Sequence, residues 1–326
     1  MGLTRREAMV GFGGALALVS RPALAQAAYP SRNIRMIVPY PPGGTTDLLG
    51  RLIADQIKTG LNAIVVVENK PGAGTTLGAE QVARSEPDGY TLLMATSTTL
   101  AINKTLYKKL PYDPVKDFAA ISLVAAVPFA LIINPTIPAR TLSEFIAYAK
   151  ANPGLAYGSA GNGSPQHLGA EMLKSAANID IRHVPYRGSI PAMLDVIAGH
   201  IPFMIVDLQP ALQQIREGKV RVLGVTTPKR VAAAPDILTI AEGGLPGYEL
   251  VAWQGVVAPA NTPRPIIDAL AAQIARLLAD PATSERFTSI AIELLPASTP
   301  DSFASYIKTE VDRWATIVKN SGAEAE

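Results

Sequence analysis

The sequence predicts an α/β fold of two lobes, each a mostly parallel sheet flanked by helices, joined by two crossing segments. From Ile34 onward short β-branched runs alternate with helical patterns, the signature of strands covered by helices. The alternation comes in two series, the second beginning near Phe129. Two longer apolar runs, residues 120–133 and 251–258, fall at the ends of the second series and are the expected crossings. The chain then leaves a first lobe (residues 26–128), builds a second (129–250) and returns (251–326). Two crossings make a hinge, and closure around a ligand is the natural motion of such a pair.

In the first series the strands are residues 34–38, 64–67 and 91–94, with helices over 46–58 and 76–85. Between them Asn69-Lys70-Pro71-Gly72-Ala73-Gly74 and Glu86-Pro87-Asp88-Gly89 are turns whose glycine and proline set the backbone. The second series reads as strand 129–133, then helix 143–151, capped by Thr141 with Glu144 three residues on. It continues with strand 155–158, helix 165–177, strand 181–184, helix 191–198, strand 202–206, helix 210–217 and strand 220–225. After strand 251–258, Thr262-Pro263 and Thr299-Pro300 each read as an N-cap followed by proline at the first helical position. The remainder is two or three helices.

Residues 1–25 read as an export signal: Arg5 and Arg6, an apolar stretch over 8–19, and Ala23-Leu24-Ala25 as an A-x-A cleavage site, so the mature chain is expected to begin at Gln26. Thr4-Arg5-Arg6 and Arg21 suggest the twin-arginine route. The general secretory route stays open, because Glu7-Ala8-Met9 lacks the usual aromatic and leucine. Of the 29 basic and 27 acidic residues, cleavage removes Arg5, Arg6, Arg21 and Glu7 and leaves the two signs equal. A neutral chain with 6% aromatic residues argues against a nucleic-acid partner. The absence of cysteine excludes disulfides, thiolate sites and acylation at a lipobox. The apolar run 119–133 is interrupted by Ser122 and Pro128 and is too short for a membrane span. A monomer free in the periplasm is therefore expected.

In open α/β sheets, ligands bind beyond the carboxyl ends of strands, where helix N-termini converge. Three loops at such ends are rich in small residues: 40–46, 159–164 (SAGNGS) and 184–189 (VPYRGS). Each can aim unpaired backbone N–H groups at an anion. Thr45, Thr46, Ser159, Ser164 and Ser189 can add hydroxyl donors. The plain alternative is that glycine and serine merely make turns and N-caps. A nucleotide is rejected, since Pro41-Pro42-Gly43-Gly44 has neither G-x-x-x-x-G-K-[ST] nor G-x-G-x-x-G spacing, and no cofactor is expected. A serine hydrolase is the enzyme alternative, from Ser159 or Ser164, His167 or His183, and Asp207, but Tyr157 breaks the G-x-S-x-G elbow. His167, His183 and His200 lack metal-site spacing.

Arg187, just before a helix start, can pair with a carboxylate or with a neighbouring acidic side chain. Tyr40 and Tyr186 can line a cleft or pack in the core. Asp207 would repel a carboxylate, so it is expected to receive an ammonium or water, or to cap the following helix.

These segments together resemble the Bug family, the TctC-type receptors of tripartite tricarboxylate transporters. The match lies in IVPYPPGGTTDLLGR (37–51), VVENKPGAGTTLGAE (66–80), EPDGYTLL (86–93), YDPVKDFAAISLVA (112–125), YGSAGNGSPQHLGAE (157–171), HVPYRGSIPAMLDVIAGHI (183–201), GYELVAWQGVVAPANTP (247–263) and the tail helix with Trp314. The resemblance implies a two-lobed periplasmic binding protein that closes on a small mono- or dicarboxylate without bond chemistry. It implies a membrane permease, or a membrane sensor, as partner. Carried onto this sequence, the first-lobe site is Tyr40, Gly43, Gly44, Thr45 and Thr46, with Thr96 and Ser97. The second-lobe site is Ser159, Gly161, Gly163, Ser164, His167, Tyr186, Arg187, Gly188 and Asp207. Tyr40 stands where phenylalanine is frequent in the family, Arg187 where lysine is common and His200 where glutamine is common.

Overall fold

The computed structural model describes residues 29–321 and residue 323, so the export signal over residues 1–25 lies outside the described residues. Strands β1 (Ile34–Val38), β2 (Val65–Asn69) and β3 (Thr91–Thr96) run parallel, crossing over through helices α1 (Thr45–Leu61) and α2 (Thr76–Ala83). Apolar residues on both faces of β1 and β3 suit strands covered on each side.

One long strand, β4 (Phe118–Ile133), then serves two sheets. Its residues 118–128 pair antiparallel with β9 (Val251–Pro259), which in turn lies antiparallel to β3. Its residues 129–133 pair antiparallel with β7 (Phe203–Asp207) and, from 130 on, with β8 (Arg221–Val225). Beyond β7 lie β5 (Leu155–Ser159) and β6 (Ile181–Pro185), both parallel to it, so each sheet is a parallel trio bordered by antiparallel strands. The partner change falls at Pro128, whose ring removes a ladder N–H where the sheets part.

Helix α3 (Asn103–Leu106) precedes β4. Helices α4 (Leu142–Ala151), α5 (Pro165–Ala177), α6 (Ser189–Ala198) and α7 (Leu208–Arg216) cover the second sheet. The α4 capping box is formed: Glu144 N–H donates to Thr141 Oγ1 at 3.1 Å, and the Glu144 carboxylate accepts from Thr141 N–H at 3.2 Å. After β9 the chain makes α8 (Arg264–Leu278), α9 (Pro281–Ser289), the two-residue β10 (Glu293–Leu294) on the edge of β4, and α10 (Pro300–Ser321). Three core clusters result. Two fill one face of each sheet, and the third runs continuously across both, joining Leu93 and Trp314 to Tyr157, Leu168 and Ile205.

Three details differ from the sequence reading. Helices α6 and α7 begin at Ser189 and Leu208, before Pro191 and Pro210, because proline is tolerated anywhere in a first turn, whose N–H groups have no helical acceptor. Thr262 does not cap α8: its hydroxyl donates to Pro259 O at 2.7 Å, and Pro263 holds the cap position. Thr299 does cap α10, accepting from Ser302 N–H at 3.1 Å. The second crossing also precedes β9 rather than running along it, since β9 pairs only within the first sheet.

Thr226 stitches the crossings together. Fully buried, it exchanges backbone bonds with Phe129 and Leu250, its Oγ1 donates to Leu250 O at 2.6 Å, and the same oxygen accepts from Phe129 N–H at 3.2 Å. Thr226→Val keeps the volume but orphans those buried groups, which costs about 1–3 kcal/mol. Urea denaturation should show that loss, and an unchanged midpoint would mean the hydroxyl is dispensable.

Candidate ligand-binding site

The loop from Tyr40 to Thr46 is shaped by Asp47, at the third position of α1. Its carboxylate accepts from Gly43 N–H (3.0 Å), Asn69 Nδ2 (2.9 Å) and Arg51 Nη2 and Nε (both 3.0 Å), while Asn69 Nδ2 also reaches Tyr40 O (3.0 Å). Burial opposes this charge, yet Arg51, Gly43 N–H and Asn69 together hold the Asp47 carboxyl below the usual carboxylate value. Gly43 N–H is therefore committed to the loop. The first amides of α1 are not, because the first turn of a helix has no internal acceptors. The N-cap, Gly44, also brings no side-chain cap.

The residues that carry those amides line a cavity between the lobes. Gly44, Thr45 and Thr46 line it from α1, and Thr96, Ser97 and Thr98 from the end of β3. Pro165 and Gln166 contribute from α5, Gly188 to Pro191 from α6, and Asp207 from the end of β7. Val127 and Phe129 on β4, and Ala252, Trp253 and Gln254 on β9, form the floor where the sheets part. The N-caps of α6 and α7, Gly188 and Asp207, also lack side-chain cap bonds, so three uncapped helix starts from both lobes border one cavity.

Polar side chains in the walls are buried and only partly satisfied. Thr45 Oγ1, Ser97 Oγ, Gln166 Oε1 and Gln254 Oε1 have no hydrogen-bond partner, and each of these residues is at most 5% exposed. Buried polar atoms left so are costly unless something bonds them. Their other ends are anchored: Gln166 Nε2 donates to Asp207 Oδ1 at 2.5 Å, and Gln254 Nε2 to Thr46 Oγ1 at 3.0 Å. Burial raises the Asp207 carboxyl above its usual value, against the opposing pull of nearby Thr45 and Gln166. None of the lining residues is lysine, arginine or histidine.

The residues singled out in the sequence separate into three groups. Tyr40, Gly44, Thr45, Thr46, Thr96, Ser97, Gly188 and Asp207 line this inner cavity. Gly161, Ser164, Tyr186 and Arg187 line an adjoining chamber with Pro71 to Thr75, and Tyr40, Pro41, Thr98 and Ala160 border both. Arg187 is exposed there. Ser159, Gly163 and His167 sit behind the wall, and Gly43 is bonded to Asp47. Ser164 caps α5, accepting from His167 N–H at 3.3 Å and donating to Gly161 O at 2.7 Å. Asp207 does not cap α7 with its side chain.

The hydrolase alternative gains one contact, Ser159 Oγ to His183 Nε2 at 2.6 Å, but Ser159 is fully buried and Asp207 is turned to Gln166, so no triad assembles. Gln166, Trp253 and Gln254 were not singled out. Gln254 had a signal, a lone amide within the apolar run 251–258, which in a buried strand asks for a partner.

Two glycines fit the lobes together. Gly163, at φ +70, lies where a Cβ would stand 1.9 Å from Leu106 Cδ2, and Gly188, at φ +134, where it would stand 3.2 Å from Pro41 Cγ. Only glycine combines those backbone angles with that approach.

The family model described as "Tripartite tricarboxylate transporter family receptor" matches residues 49–323. BugT of Bordetella pertussis is 36% identical over 326 residues, covering 99% of each chain. The solved structure of the periplasmic binding protein BugD is 36% identical, with TM-score 0.86, over 91% of this chain and 100% of that one. An R. palustris protein solved with adipate is 33% identical, with TM-score 0.87, over 91% of this chain and 99% of that one.

The wall behind SAGNGS carries a pH signature. His167 and His183 stack at 3.8 Å between ring centres, and Gly163 N–H donates to His167 Nδ1 at 3.0 Å. Burial lowers His167 to about 4 and His183 to about 3, with a smaller effect of Lys174 on the first and of His167 on the second. The unfolded chain takes up protons at these imidazoles below about pH 6.5, the folded chain only near pH 4 and below. Their contribution to stability is thus complete above pH 6.5 and lost progressively as pH falls to 4. Melting temperature should fall across that window, and more shallowly in H167Q/H183Q. An equal slope in both proteins would remove the histidines from the account.

Proposed function

The chain belongs to the tripartite tricarboxylate transporter receptor family, and from that premise we propose that it is a periplasmic receptor that closes over a small organic acid and hands it unchanged to a membrane permease. The observation that carries this reading is the convergence of two uncapped helix starts from the two lobes, α1 and α6, on one interlobe cavity. Aligned peptide dipoles and unpaired first-turn amides make such ends anion sites without any cationic side chain. The unpartnered hydroxyls of Thr45 and Ser97 add two donors inside the same walls.

In this reading residues 26–128 and 251–326 form one jaw and residues 129–250 the other, the mature chain starting after Ala25. The adipate in the R. palustris relative supports a carboxylate as ligand class. The absence of a triad around Ser159 supports binding without bond chemistry. Among the described residues no helix is long and apolar enough to cross a membrane.

Titration calorimetry and thermal shift against a panel of mono- and dicarboxylates and their esters test the proposal. A receptor shows concentration-dependent stabilisation by the acids, whereas ester turnover or an acylated serine would sink it. The T45V/S97A double variant should bind the best acid at least tenfold more weakly, since a hydrogen bond to a charged group contributes about 1.5–3 kcal/mol. Affinity unchanged in that variant would exclude these hydroxyls from the site.

A further inference from the structure

The cavity that offers donors to a carboxylate also holds one carboxylate of its own. Asp207 is 8% exposed, and the side chains that reach it are neutral, the amide of Gln166 at 2.5 Å and the hydroxyl of nearby Thr45. That bond turns Gln166 Nε2 toward Asp207 and leaves Gln166 Oε1, itself buried, with no partner. Two adjacent acceptor groups therefore belong to the lining, and no lysine, arginine or histidine lines the cavity to answer them. A simple carboxylate entering this space would add a second negative charge beside the first, and like charges in a poorly solvated site disfavour one another.

Resting on the carboxylate-receptor reading above, we propose that Asp207 and Gln166 form an acceptor patch that selects acids carrying an ammonium group, so that the preferred ligand is an amino acid or other amino-carboxylate. The ligand's carboxylate takes the amides of α1 and α6 and the Ser97 hydroxyl. Its ammonium donates to the Asp207 carboxylate and to Gln166 Oε1, neutralising the one and satisfying the other. Burial alone pushes the Asp207 carboxyl toward its neutral form, and an ammonium beside it reverses that push. Asp207 is then the specificity-determining residue. The D207N variant keeps the shape and hydrogen-bonding reach of the side chain while removing the charge that the ammonium needs.

The test measures affinity by calorimetry for matched pairs differing by the amine, glutamate against glutarate and 5-aminovalerate against valerate. The wild-type protein should bind at least one amino-carboxylate tenfold or more tighter than its matched acid, and D207N should bring that ratio to about one or invert it. Glutarate and valerate binding as tightly as their amino counterparts would overturn this inference while leaving the carboxylate receptor standing. A ratio that persists in folded D207N would overturn the role of Asp207. Binding of none of the four acids, nor of any other acid in the wider panel, would overturn the carboxylate reading and this inference with it.

Discussion

A single unbroken strand, β4, belongs to both sheets, and the architecture is organised around that fact. Its first eleven residues are laddered to β9 and its last five to β7 and β8, so neither sheet is complete without it. A sixteen-residue strand cannot turn one face to two separate cores unless the sheets follow its twist. The change of partner at Pro128 is where they diverge. Thr226 fastens that point to the returning chain at Leu250, so departure and return lie side by side. The cavity floor sits there as well, with Val127 and Phe129 on β4 and Trp253 and Gln254 on β9. The cavity floor and the junction of the two sheets are thus one piece of backbone.

The floor is held rigid from behind. Glu310 on α10 is buried and accepts from Trp253 Nε1 at 2.7 Å and from Trp314 Nε1 at 2.9 Å, with Phe303 and Tyr306 edge-on to the Trp253 ring. Trp253 therefore presents a fixed apolar surface to the cavity while its polar edge is spent on the C-terminal helix. The rim is different. It meets through glycine: Gly188 against Pro41, and Gly163 against Leu106. Such contacts are small and apolar, and each contributes little by itself. For the proposed receptor, a stiff floor and a weakly joined rim leave the ligand's own bonds to provide most of the closing free energy, as binding-linked closure requires.

Much of this was legible because each feature followed a local rule. The βα alternation, the Thr141/Glu144 capping box and the Thr299 cap depend on neighbours a few residues away, and they appear as read. Residues 40, 44–46, 96, 97, 188 and 207 meet at one cavity because strand ends and helix starts in such sheets face the same way. What stayed hidden depended on long-range partners. Sequence spacing could not separate Ser159 and His167, which support the loop from behind, from Gly188, which faces the cavity. Those outcomes rest on His183 and Pro41, distant in the chain. Gln166 looked like an ordinary residue in a first helical turn, and its meaning comes only from Asp207, 41 positions away.

The chemistry of the site turns on using partial charges in place of full ones. A lysine or arginine in the cavity would bind a carboxylate strongly but would carry its own desolvation cost whenever the cleft closed empty. Helix starts and hydroxyls offer several weaker bonds, already aligned by α1 and α6, with no charge of their own to strip of water. In the proposed receptor a ligand held by many modest bonds would be released once the rim parts, because water replaces each donor. Asp207 is the exception, an ionisable carboxyl that burial pushes toward its neutral form, kept in a site otherwise built of dipoles. Retaining it in so dry a place makes physical sense where the bound molecule brings the opposite charge, and that ties the cavity's one costly feature to the identity of what it carries.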